Sequence, residues 1–91
     1  MSDTTSPFDV APHDSAAIAE KVRTVVAEVL WLSATDIDGA APLIDYGLDS
    51  PTSIDLTVQL ERVFDVSIPE DVAIGLETVD QIVAYVREQR A

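Results

Sequence analysis

The 91-residue chain contains no cysteine, so it forms no disulfide and supplies no thiolate nucleophile. Any thiol its chemistry requires has to be imported. Cations are almost as scarce: five Lys and Arg stand against 17 Asp and Glu, a formal charge of −12 that excludes a nucleic-acid binder or a ligand of anionic membranes. Aromatic residues make up 5% and apolar residues 47%, which suits a small aliphatic core. No apolar run approaches the roughly 18 residues of a spanning helix, and no basic stretch followed by an apolar one opens the chain. The reading from these absences is a cysteine-free domain of the cytoplasm with no membrane partner.

The acidity is unevenly placed. From Thr24 to Val86 there are twelve carboxylates and one cation, Arg62, while Lys21, Arg23, Arg87 and Arg90 lie toward the two ends. Partners with basic surfaces are expected. The length allows one core and leaves no room for a cleft between two lobes, which makes elaborate catalysis improbable.

Residues 1–13 are rich in Ser, Thr, Asp and Pro without periodicity and read as a flexible lead, with the domain proper spanning 14–91. Ile18, Val22, Val25, Val26, Val29 and Leu30 follow helical spacing and predict a first helix over 15–32, with Asp14 or Ser15 as its N-cap. Residues 33–49 carry two glycines, a proline and four aspartates, and predict a long ordered loop anchored by Leu43, Ile44, Tyr46 and Ile37. Ser50-Pro51 has the form of a helix start, Ser as cap and Pro at the first helical position, and a second helix follows to Phe64 with Leu56, Leu60, Val63 and Phe64 inward. Ile54 and Val58 form a partial second apolar face. Pro69 opens a short helical turn ended by Gly75, and Thr78-Val79-Asp80-Gln81 has capping-box form ahead of a last helix marked by Val79, Ile82, Val83 and Val86. Three main helices and one short helix predict an all-α fold, a small antiparallel four-helix bundle with a long first loop.

Chemistry of the chain's own is hard to find. Asp36, Asp38 and Gly39 suggest a calcium loop, yet with Gly39 at its sixth position Ala34 falls at the first and Asp45 at the twelfth, where a bidentate Glu belongs. No metal site is expected. Ser50 as a catalytic nucleophile would need a base, and the sole histidine, His13, lies in the lead. Gly47-Leu48-Asp49-Ser50-Pro51 also lacks the second glycine of a nucleophile elbow. No catalytic residue is assigned.

Pro42-Leu43-Ile44-Asp45-Tyr46-Gly47-Leu48-Asp49-Ser50, then Asp55-Leu56, then the run from Leu60 to Asp71, then Thr78-Val79 through Tyr85-Val86, form an ordered series that resembles the acyl carrier protein family, peptidyl and aminoacyl carriers included. The resemblance covers about residues 15–88. It implies that a separate phosphopantetheinyl transferase attaches 4′-phosphopantetheine from coenzyme A to Ser50, whose place at a helix N-terminus suits a phosphodiester anion. It further implies a monomeric, non-catalytic carrier of acyl groups held as thioesters on the arm. The enzymes that load, condense and transfer those groups, acyl- or aminoacyl-specific, would dock through basic surfaces on Asp49, Pro51, Asp55, Glu61, Asp65, Glu70 and Asp71. Leu60, Ile68, Ala73, Leu76, Ile82 and Tyr85 would line a cargo site between helices. Pro51 stands where the family commonly has leucine, a departure that bears on partner recognition.

The chain resembles discrete carriers of fatty-acid or polyketide synthesis; a stand-alone aminoacyl carrier is the alternative within the family. From another class, an unmodified acidic interaction module would use the same charge without needing Ser50.

Overall fold

The structure, a computed structural model, describes residues 15–90. The flexible lead expected over 1–13, with His13, lies outside the described residues, as does the choice between Asp14 and Ser15 as first cap.

Four helices form the bundle: α1 (Ser15–Leu30), α2 (Ser50–Phe64), the short α3 (Glu70–Ile74) and α4 (Val79–Arg90). On α1 the positions Ile18, Val22, Val25 and Val26 are buried, a stripe one helical face wide, and α1 packs on both α2 and α4. α2 contributes Leu56, Leu60 and Phe64, and α4 contributes Val79, Ile82 and Val86. The capping box on α4 is formed: Thr78 Oγ1 accepts from Gln81 N at 3.1 Å, and Gln81 Oε1 accepts from Thr78 N at 3.1 Å and from Glu77 N at 2.7 Å. Arg87 and Arg90 in the last turn meet the negative end of the helix dipole.

Two helix ends use the same device. α1 stops two residues earlier than its periodicity predicts, because Trp31 turns left-handed (φ 61°) and Leu32 N donates to Ala27 O at 2.9 Å. At the end of α2, Asp65 (φ 54°) turns the chain in the same way and Val66 N donates to Glu61 O at 3.3 Å. A short polar Asp tolerates this conformation; a Trp is an unusual occupant.

The long first loop is ordered as expected, and it holds two 3-10 turns, Ala34–Asp36 and Leu43–Tyr46, that its lack of periodicity did not announce. Leu43 and Ile37 anchor it in the core as predicted, but Ile44 is 72% exposed. Leu43 and Ile44 are adjacent, so a turn that buries one presents the other. The loop is pinned on three sides. Arg23 Nη1 donates to Ile37 O, Leu43 N donates to Glu77 O at 2.8 Å, and Asp80 N donates to Gly39 O at 3.0 Å. Gly39 permits that approach, since a Cβ there would stand 2.5 Å from Asp80 Oδ1. Tyr46 Oη accepts from Asp38 N at 2.8 Å and ties the loop to itself. Gly47 (φ 96°) ends the second turn in a conformation only glycine adopts readily.

Val63, expected inward, is 41% exposed, since only the row 56-60-64 of α2 is buried. α3 is five residues long and leaves uncovered the face that carries Ile54 and Val58.

Candidate functional site

Gly47 turns the chain into Leu48 and Asp49, and α2 begins. The expectation that Ser50 caps this helix is corrected: Asp49 is the N-cap. Its backbone is extended (φ −123°), its Oδ1 accepts from Thr52 N at 3.0 Å and from Thr52 Oγ1 at 2.5 Å, and its carbonyl accepts from Ser53 N at 2.8 Å. An ionised acceptor at the positive end of the helix dipole outcompetes a neutral hydroxyl one residue later. Thr52 accordingly holds the Asp49 carboxyl below its ordinary pKa, chiefly through its side-chain hydroxyl and then its N–H. Ser50 becomes the first helical residue and Pro51 the second, where the absent N–H removes one of the unpaired donors of the first turn. The Ser50 side chain is exposed, and its hydroxyl has no hydrogen-bond partner among the described residues.

Beside Ser50 runs a groove of about 750 Å³ between α2, α3 and the end of the first loop. Its sides are Ile44, Ile54, Val58 and Ile74, exposed by 72, 66, 37 and 73%, with Asp49 and Glu70 as its carboxylates. The apolar sides are the feature the sequence reading did not assign to the site. Its signal was the second apolar row, Ile54 and Val58 one turn apart on α2, which the five-residue α3 leaves uncovered.

The other candidates divide into groups. Asp49, Ser50 and Glu70 share the groove. Pro51, Asp55, Asp65 and Asp71 are exposed outside it. Glu61 is half-buried and its Oε2 accepts from Ile68 N at 2.8 Å, which secures the α2–α3 connection. Leu60, Ile68, Ala73, Leu76 and Ile82 surround a second, interior space of about 10 Å³. Tyr85 does not reach it; its hydroxyl donates to Ser67 O at 2.6 Å. Among the described residues no cluster of His, Cys, Asp or Glu is placed to hold a metal ion, and no helix is long and apolar enough to cross a membrane.

The site can offer a hydroxyl to an external reagent and an apolar bed beside it. It has no base. The nearest carboxylate, Asp49, is a hydrogen-bonded cap whose lowered pKa makes it a poor proton acceptor for an alcohol.

A family model described as "Phosphopantetheine attachment site" matches residues 20–86. Over 78 residues, 86% of this chain, the sequence is 33% identical to the 6-methylsalicylic acid synthase of Penicillium expansum. It is also 33% identical over 78 residues to the "6-methylcalicylic acide synthase" of Aspergillus clavatus. The matched segment is about 4% of the length of each synthase. Among solved structures, a free-standing peptidyl carrier protein from an uncharacterized secondary metabolic pathway of Acinetobacter baumannii superposes with a TM-score of 0.74 at 22% identity, covering 84% of this chain and 95% of that one. At that identity the likeness concerns the fold.

Proposed function

The chain belongs to the phosphopantetheine-attachment family of carrier proteins, and from that premise we propose that it is an acyl carrier whose 4′-phosphopantetheine is joined to Ser50. The observation that carries the assignment is the division of labour at the start of α2: Asp49 caps the helix, and the Ser50 hydroxyl is left exposed, with no hydrogen-bond partner among the described residues. The residues present fit the group. An accessible oxygen at the first position of a 15-residue helix places a phosphodiester at the positive end of the helix dipole, and the groove beside it offers apolar surface to the arm.

In the attachment reaction Ser50 Oγ forms a bond to the pantetheine-side phosphorus of coenzyme A. The phosphoanhydride P–O bond breaks, adenosine 3′,5′-bisphosphate leaves, and the hydroxyl proton passes to a base of the transferase, since Asp49 is occupied by Thr52. Once bound, the group supplies the thiol that the polypeptide lacks, on which acyl groups are carried as thioesters. Residues of this chain then position and present; they perform no bond chemistry on the cargo.

The reading is of a discrete carrier, and the kinship with the two synthases supports acyl cargo. Loading, condensing and acyltransferase enzymes are assigned to the exposed carboxylates Asp49, Asp55, Asp65, Glu70 and Asp71, with Pro51 beside the attachment point and Glu61 behind it. A cytoplasmic location, where coenzyme A is at hand, completes the reading.

Incubation with coenzyme A and a broad-specificity phosphopantetheinyl transferase, followed by intact-mass measurement, tests it. One added phosphopantetheinyl group on the parent and none on Ser50→Ala is the expected result. An unchanged parent mass would instead favour an unmodified acidic interaction module, and modification that moves to Ser53 would overturn the residue assignment.

A further inference from the structure

Two spaces adjoin α2, and they differ greatly in size. The interior one, among Leu60, Leu76 and Ile82, holds about 10 Å³, close to the least room that admits a single water molecule. The groove outside holds about 750 Å³. Leu48, Ser53, Thr57, Ile68 and Ala73 line both and so form the wall between them.

That wall is fastened. Ile68 is 4% exposed and its N–H is held by Glu61 Oε2 at 2.8 Å. The Tyr85 hydroxyl holds Ser67 O at 2.6 Å from α4, and Arg90 Nη1 donates to Phe64 O at the end of α2. Admitting a chain of several methylenes would require these ties to yield and a close-packed interior to expand, where even one added methylene is felt.

Resting on the assignment of Ser50 as attachment point, we propose that the tethered acyl group lies along the outer groove and stays out of the bundle, and that the groove accepts neutral acyl groups without measuring their length. Charge sets the class of cargo. Asp49 and Glu70 repel an acyl group that ends in a carboxylate, whereas Ile44, Ile54 and Ile74 offer surface to an uncharged one. Ser53 sits half-buried in the wall, and its hydroxyl makes no hydrogen bond among the described residues. It is therefore available to donate to the carbonyl of a keto-acyl group.

The test loads the full chain with acetoacetyl-, octanoyl- and malonyl-pantetheine amides, from the corresponding coenzyme A analogues, and follows its methyl groups by NMR. Intact mass is read first: a chain that gains no pantetheinyl group overturns the attachment reading and this proposal with it. On a loaded chain, the Ile44, Ile54 and Ile74 methyls should move with acetoacetyl and octanoyl, and at least two-fold less with malonyl. The Leu60, Leu76 and Ile82 methyls should remain in place with all three. Movement of the interior methyls with octanoyl overturns the proposal while leaving the attachment site standing, and equal groove shifts with malonyl overturn its selectivity. Ile54→Ser, at a position 66% exposed, should fold normally and reduce the acetoacetyl shifts at Ile44 and Ile74 by half or more; undiminished shifts would count against the groove.

Discussion

Asp49 and Thr52 close the first turn of α2 between them, carboxylate Oδ1 to backbone N at 3.0 Å and to the hydroxyl at 2.5 Å. The pair fixes the helix start without using the intervening Ser50. A residue can be altered chemically without loss of structure only when the structure does not need its side chain, and that condition holds here.

Asp49→Ala should therefore destabilise the protein, as the loss of a helix cap does, and by more than Ser50→Ala. Ser50→Ala should change stability by less than about 0.5 kcal/mol while abolishing phosphopantetheinylation. Urea unfolding of both variants beside the parent decides the point, and a larger loss in Ser50→Ala would return the cap to the serine.

Acid should remove the Asp49 contribution. Its folded pKa lies below the unfolded value of 3.8, so the stabilisation is fully present above that value and disappears as pH falls through the folded pKa. Asp49→Asn keeps a capping acceptor but no titration. The stability difference between parent and Asp49→Asn should be level near neutrality and shift against the parent only in acid below 3.8, measured by urea unfolding at a series of pH values.

Asp55 and Glu61 should respond differently to charge reversal. Asp55 is exposed on α2, so Asp55→Lys should leave stability within about 0.5 kcal/mol while slowing association with a basic partner, an effect that shrinks as salt rises. Glu61→Lys also strands the half-buried Ile68 N–H, with an expected loss of about 1–3 kcal/mol, and Glu61→Gln should restore most of it. Stopped-flow association at two salt concentrations, paired with thermal unfolding, separates docking from folding.

Trp31→Gly should stabilise the chain by about 1 kcal/mol, because glycine takes the left-handed conformation without the Cβ penalty. Little packing is lost, since the indole is 93% exposed. A chemical-denaturation midpoint that fails to rise would show that the Trp31 side chain makes a contribution its exposure does not reveal.

Wherever apolar spacing was regular, the sequence was a good guide. Ile18, Val22, Val25 and Val26 on α1, and Thr78 with Gln81 at the start of α4, stand as their spacing predicts, because local periodicity and capping chemistry settle those elements. Burial at the edges of the stripes was less legible. Ile44, Val63 and Ile54 are as apolar as their buried neighbours; Ile44 is presented by the turn that buries Leu43, Val63 lies off the buried row 56-60-64, and the five-residue α3 leaves Ile54 uncovered, tertiary facts with no local signature. The cap shifted by one residue because Asp49 and Ser50 are both good cap residues, and sequence alone does not say which backbone is extended. Glu61 shows the same difficulty in a charged residue: nothing in its spacing announces the Ile68 N–H seven positions on.

Trp31 is the only tryptophan, and in the folded chain its indole already stands in water. The optical probe that normally follows unfolding would thus begin with the emission of a solvated ring and end with it, and a cooperative transition could pass almost unseen. The two tyrosines are the better witnesses. Both are half-buried, with phenols bonded to Asp38 N and Ser67 O, so their absorbance changes when the first loop or the α2–α3 joint lets go. Silent toward folding, Trp31 is left with a steady background against which quenching by a bound partner, or by an added solute, is easily read.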